Sequence, residues 1–134
     1  MNARSRFLGV VVAGVAVAAC RIGPRPENFR PAMEAAGVSA TVTTASQTVI
    51  AELLEVQDSA LVLLGTELLL VPERLINRAT FSDTRLQIYK GFPLRPNERA
   101  QLRLLSRYPY GIPSGVLPKL LDNRGQAAIV VIEK

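Results

Sequence analysis

Short apolar runs separated by turn residues fill the middle of the chain, and they constrain its possible folds more than any other feature. Six runs of five to nine residues occur at 40–44, 48–56, 60–64, 67–71, 76–81 and 85–90, and the gaps between them contain Asp, Ser, Gly or Pro. Such runs are typical of strands, and gaps of two or three residues indicate hairpins. The alternative is a helix over 48–70, which the turn residues and the lack of a 3.6-residue period disfavour.

The C-terminal third of the chain changes from strand patterns to helix patterns. Asn97 is a suitable N-cap for a helix over 98–108, which ends before a proline. A second short helix is predicted at 115–123, followed by a glycine that suits a helix end. The apolar run 127–132 predicts a buried strand that returns to the sheet. The predicted fold class is therefore α+β, mainly antiparallel β, with one or two short C-terminal helices and a final strand.

The single cysteine of the chain follows an N-terminal apolar run. Arg4 and Arg6 precede thirteen apolar residues, 7–19, and Cys20 comes next. The run fits the core of a signal peptide, which takes about 7–15 residues. It falls short of the roughly 20 residues that a helix needs to cross a bilayer. The last four residues, Val17-Ala18-Ala19-Cys20, resemble the lipobox of bacterial lipoproteins.

This resemblance implies cleavage between Ala19 and Cys20 and attachment of lipid to Cys20. The chain would then divide into a signal peptide, 1–19, a lipid anchor and flexible tether, 20–38, and one β-rich globular domain, 39–134. Membrane contact through the lipid is expected, and so is a location in the cell envelope. Arg21 in place of Asp favours the periplasmic face of the outer membrane if the source has two membranes. The alternative is an ordinary signal peptide or anchor with an incidental cysteine.

A second resemblance covers residues 48–81. An acidic turn at 57–59, a strand that ends in Val71-Pro72, and a short turn before Ile76 are similar to the meander of small SH3-like and Sm-like barrels. The resemblance implies a small barrel or an open meander. A closed barrel would remove the exposed edges that short strands otherwise present.

The composition excludes most catalytic chemistry. The chain has no His and one Cys, and a lipidated Cys20 is neither a nucleophile nor a metal ligand. Glu52 and Glu55 are expected on opposite faces of a strand, so they do not form a carboxylate pair. We therefore expect no enzymatic activity, no cofactor and no metal. A hydrolase that uses other carboxylates is the third alternative.

Four arginines recur at every fourth position over 95–107. On a helix, Arg95, Arg99, Arg103 and Arg107 would form one stripe, which makes them candidates for contact with an anionic surface or an acidic partner. An ordinary solvated face is the alternative. Loss of residues 1–19 removes Arg4 and Arg6 and lowers the net charge from +5 to +3. Nucleic acid is not expected as a partner, because export would separate the chain from it.

Aromatic residues and prolines are interleaved just before and after the predicted helix. Phe92, Tyr108 and Tyr110 are candidates for a partner groove, and the alternative is that they cover an edge of the core. Together these patterns predict a non-catalytic, membrane-anchored bacterial lipoprotein that acts as a structural or protein-interaction module at the cell envelope. A lipoprotein that binds a small ligand or a polysaccharide is the second alternative.

Overall fold

The computed structural model describes residues 36–134, which form a mixed α+β fold around one seven-stranded sheet. The strands are β1 (Ser39–Thr44), β2 (Thr48–Val56), β3 (Ala60–Leu64), β4 (Leu68–Pro72), β5 (Ile76–Phe81), β6 (Gln87–Tyr89) and β7 (Val130–Val131). Their order is β6-β5-β1-β2-β3-β4-β7, and β4–β7 is the one parallel pair among otherwise antiparallel neighbours. The sheet is open, so β6 and β7 remain as edges.

The predicted signal peptide, Cys20 and most of the predicted tether lie outside the described residues. The last residue of the predicted tether, Val38, is hydrogen-bonded to the domain. Its N–H donates to the Leu105 carbonyl at 3.1 Å, and its carbonyl accepts from the Leu53 N–H at 2.9 Å. Within residues 36–134, no helix is both long and apolar enough to span a bilayer.

Five of the predicted strands occur within one residue of their expected limits. The sixth is shorter than predicted, because β6 covers only Gln87–Tyr89 of the run 85–90. Turn residues account for this agreement. In the β1–β2 turn, for example, the Thr44 hydroxyl accepts from the Gln47 N–H at 3.3 Å. A 3-10 helix of three residues, Glu73–Leu75, joins β4 to β5.

A β-bulge in β2 shifts the alternation of its side chains. Leu53 pairs with Leu63, but Glu55 pairs with Val62, so Leu54 is an extra residue. Leu54 is fully buried on the opposite face from Leu53. The expectation that Glu52 and Glu55 face opposite sides is therefore wrong, because the extra residue turns both carboxylates toward the chain segment 107–112.

Both faces of the sheet are covered. The inner face carries a core to which strands β1–β6 contribute and which includes Leu102 of helix α1 (Pro96–Leu105) and Ile132 after β7. The outer face of β2–β4 buries Leu54, Val62 and Leu68 under partly buried side chains of the 108–121 segment, which includes helix α2 (Leu117–Asp122). The two helices therefore lie against different faces of the sheet.

Helix α1 begins and ends earlier than the sequence predicts. Arg95 is its N-cap, because Pro96 suits the first helical position and the Glu98 carboxylate accepts from the Arg95 N–H at 2.9 Å. The predicted cap, Asn97, lies inside the helix. The helix stops at Leu105 because Arg107 and Tyr108 donate their N–H groups to β2 carbonyls at 3.1 and 2.9 Å instead of continuing the helical ladder.

The C-terminal elements are also shorter than predicted. Helix α2 covers six residues of the expected 115–123. The buried strand predicted at 127–132 reduces to β7, whose residues Val130 and Val131 are exposed, while only Ile132 is buried. Val130 and Val131 are exposed because β7 lies at the edge of the sheet, where no further strand of the described chain pairs with it.

Candidate functional site

The structure pairs two of the predicted stripe arginines with carboxylates at partly shielded positions. Arg99 donates to the Glu73 carboxylate at 2.7 Å and to the Gln57 carbonyl at 3.0 Å, and both charged side chains are less than 15% exposed. Arg107 donates to both oxygens of Glu52 at 2.8 and 2.7 Å. Burial opposes the charged form of Arg107, but the hydrogen bond to Glu52 and its charge, together with Tyr108, outweigh burial and raise the pKa of the guanidinium.

Arg103 makes a more exposed pair. Its Nη2 lies 2.5 Å from the Asp58 carboxylate, which is 94% exposed, and its Nε donates to the Val56 carbonyl at 3.0 Å. Arg95 caps α1 and is exposed. Since Arg107 lies beyond the helix end, the four arginines do not form one helical stripe. Three of them attach α1 and its C-terminal extension to β2, to the β2–β3 turn and to the 3-10 helix after β4. Contact with an anionic surface stays a prediction.

The three aromatic candidates for a partner groove are not brought together. Tyr108 packs against the outer core and lines a depression with Glu52 and Arg107. Tyr110 is 97% exposed and lines a different depression with Leu104. Phe92 lines neither of these depressions; its backbone pairs with Tyr89. Tyr108 therefore fits the alternative that these aromatics cover the edge of a core.

Of the exposed apolar side chains, the sequence patterns indicated only Phe92 and Tyr110 as candidates for contact with a partner. Residues 36–134 expose eight large apolar side chains, which fall into three groups. We call Ile50, Val130 and Val131 the β7-edge patch, and Leu104, Leu105 and Tyr110 the α1-end patch. Tyr89 and Phe92 form a third group beside β6.

The β7-edge patch combines apolar side chains with open backbone groups. The Ile132 N–H donates to the Leu70 carbonyl of β4 at 2.9 Å. Because backbone groups alternate in direction along a strand, the N–H and C=O of Val131 point away from β4, on the open side of the sheet. No strand of the described chain pairs there.

A depression of about 480 Å³ lies beside this edge. Its apolar lining includes Val49, Leu69 and Val130, and its charged lining residues are Glu67 and Glu133. This surface can accept an extended segment, because the backbone offers one donor and one acceptor while the depression offers apolar contact. The two carboxylates favour a segment that carries basic residues.

The described part of the chain contains neither a cluster of potential metal ligands nor an unpaired buried polar side-chain atom. Between residues 36 and 134, no group of three or more Asp, Glu, His or Cys residues is arranged to hold a metal ion. Every buried polar side-chain atom of the same residues has a hydrogen-bond partner.

No protein-family model, curated protein or solved structure matches the chain.

Proposed function

We propose that this chain is a non-catalytic bacterial lipoprotein, anchored to a membrane of the cell envelope through Cys20, whose domain binds other proteins. The observation that carries the binding role is the β7-edge patch, where an unpaired strand edge lies beside a depression with both apolar and polar lining residues. The lipobox-like residues 17–20 support the anchor. The partner would be an extended protein segment with apolar and basic residues that adds to the sheet beside β7.

The chemistry of the edge supports this choice of partner. Open strand edges are ready templates for pairing, and proteins usually block them with charges, prolines or covering loops. Here the two β7 side chains are valines that are 41% and 50% exposed. Main-chain hydrogen bonds to Val131 would supply affinity, and contacts with the depression would supply sequence preference.

We also propose that the sheet is a divergent, open relative of small SH3-like barrels. The β2-β3-β4 meander, the Val71-Pro72 end of β4 and the short turn before Ile76 carry this resemblance. The pairing of β5 with β1 supports it too, because it brings the strand that follows the meander beside the strand that precedes it.

A peptide library tests the binding role. The protein purified from bacterial membranes is screened in detergent micelles against random 12-residue peptides, and hydrogen exchange is measured with an enriched peptide bound. We expect enriched sequences that alternate apolar with Lys or Arg, and protection of the Val131 amide. No enrichment, or protection confined to another surface, would overturn the proposal.

Two substitutions at one position sharpen this test. Val131→Pro removes the outward N–H but leaves the inward bonds of β7 to β4, since those use neighbouring residues. Val131→Thr keeps both the N–H and the branched shape. In the proline variant, a carbonyl of the bound peptide would be removed from water without a hydrogen-bond donor. We therefore expect roughly tenfold weaker peptide binding for this variant. The threonine variant should bind like the parent chain; equal binding by all three contradicts strand addition.

Mass spectrometry and cell fractionation test the anchor separately. The protein from bacterial membranes should begin at Cys20 and carry the mass of the attached lipid. The Cys20→Ala variant should lack this mass and should accumulate as uncleaved precursor. An unmodified Cys20 in a membrane-bound protein would show that the lipoprotein assignment is wrong.

A further inference from the structure

We infer that the α1-end patch faces the lipid bilayer and orients the anchored domain on it, an inference that rests on the anchor proposed above. The patch consists of Leu104, Leu105 and Tyr110, which are 68%, 37% and 97% exposed. Leu104 joins two neighbouring depressions of about 630 and 650 Å³, since it lines one with Tyr110 and the other with Leu105. The apolar surface is therefore continuous across the end of the helix.

The residues that precede β1 lie beside this patch. The Val38 N–H donates to the Leu105 carbonyl at 3.1 Å, and the Gly37 N–H donates to the Glu52 carboxylate at 2.7 Å. The chain that leads back to Cys20 therefore leaves the domain at the C-terminal end of α1. The fifteen residues between Cys20 and Ala36 span at most roughly 50 Å when fully extended.

Because the tether begins beside the α1-end patch, even weak affinity of this patch for lipid can orient the domain. Tethering converts membrane contact into an intramolecular event, so a small patch needs only modest affinity to hold one face of the domain against the lipid. Tyrosine suits such a position because its ring is apolar while its hydroxyl remains at the water interface. A leucine beside it adds apolar area that the interface can cover.

The charges around the patch determine what kind of membrane contact to expect. The charged residues that line the two depressions are of both signs: Glu55, Asp58, Asp83, Arg85, Glu98 and Arg103. Acidic groups outnumber basic ones, and Arg103 is paired with Asp58. Contact should therefore depend on apolar insertion rather than on anionic headgroups.

The absence of tryptophan from the chain makes a single-probe experiment possible. The Tyr110→Trp variant of the lipidated protein is reconstituted into vesicles of zwitterionic phosphatidylcholine, with and without bromine on the acyl chains. We expect blue-shifted emission and strong quenching by the brominated lipid. Addition of anionic phosphatidylglycerol should leave the quenching unchanged.

An Ile50→Trp variant is the matched control, because Ile50 is 71% exposed but belongs to the β7-edge patch. Its emission should be neither shifted nor quenched. Equal quenching of both probes, or of neither, overturns the assignment. Blue-shifted emission of the Tyr110→Trp variant without quenching would show that a protein surface covers the patch instead.

Flotation of the vesicles separates this inference from the anchor on which it rests. Protein that floats with the vesicles while its Trp at position 110 stays unquenched is anchored but does not rest on this patch. Protein that does not float at all lacks the anchor, and then both proposals are wrong. In a further variant, Leu104→Glu added to Tyr110→Trp should abolish the quenching without changing flotation or the thermal unfolding temperature.

Discussion

Removal of the Arg107 guanidinium should destabilise the domain far more than removal of the Arg103 guanidinium. The Arg107→Met change deletes two charged hydrogen bonds, of 2.8 and 2.7 Å, and leaves the Glu52 carboxylate with the Gly37 N–H. The Arg107 and Glu52 side chains are only 18% and 21% exposed. Exposed ion pairs contribute about 0–1 kcal/mol, while breaking a buried pair costs about 3–5 kcal/mol. We therefore expect a loss of about 2–3 kcal/mol.

Arg103→Met is the matched control. It deletes an ion pair of the same chemical type and the hydrogen bond from Nε to the Val56 carbonyl, but the Asp58 carboxylate is 94% exposed and returns to water. The loss should be about 1 kcal/mol or less. Urea unfolding followed by circular dichroism measures both free energies, provided that the slope with denaturant is unchanged. Equal losses for the two variants would refute the argument that shielding from water sets the strength of these pairs.

A double-mutant cycle isolates the interaction itself. Glu52→Gln and Arg107→Met are measured singly and together, and the coupling free energy should account for most of the Arg107→Met loss. Because the pKa of Arg107 is raised in the folded protein, its charge contributes stability below its unfolded pKa and loses it only at more alkaline pH. The cost of Arg107→Met should therefore be constant from neutral to mildly alkaline pH. A cost that declines over this range would contradict the pairing.

Further substitutions test the core, the chain entry and a turn. Leu102→Ala should cost about 2–5 kcal/mol because Leu102 is fully buried, whereas Leu104→Ala should cost below about 1 kcal/mol; equal costs in urea unfolding would contradict the assigned inner core. Gly37→Ala should lower the midpoint of urea unfolding, because a Cβ at position 37 would collide with the Leu53 carbonyl oxygen; an unchanged midpoint would show that residue 37 is not held against β2. Asp83→Val should lower the thermal unfolding temperature, because Asp83 has φ of 59°, which a β-branched residue disfavours; no decrease would contradict this backbone conformation.

The strands were predictable because their signals are local. Apolar runs and turn residues occur side by side in the sequence, so residues such as Pro72 delimit strands without knowledge of the rest of the fold. The fold class, α+β with a mostly antiparallel sheet, follows from these runs and the helix signals after them. The edge position of β7 was not predictable, because the apolar run 127–132 reads the same in a central strand as in an edge strand.

The limits of α1 and the pairing of the arginines depend on contacts distant in sequence. The helix ends before Arg107 because the bulge in β2 leaves carbonyls that accept from Arg107 and Tyr108. The rule that a helix ends before a proline identifies only the last residue that the helix can include, which here is Tyr108. Glu52 and Glu73 were recognisable as charged residues, but their roles as arginine partners depend on which parts of the sheet and its connections lie beside α1 and the residues that follow it. The exposure of Leu104 and Leu105 was not predictable for the same reason, since an exposed leucine and a buried leucine look alike in sequence.

Site-specific photocrosslinking in living bacteria addresses the proposed binding of proteins at the β7 edge. A photoreactive amino acid replaces Val131 in the full chain, and a second strain carries it in place of Phe92, which is 74% exposed and lies beside β6. We predict a discrete adduct from position 131, mapped by mass spectrometry to one short extended segment of an envelope protein, and no such adduct from position 92. Absence of an adduct at 131, or the same adducts from both positions, would contradict strand addition at β7.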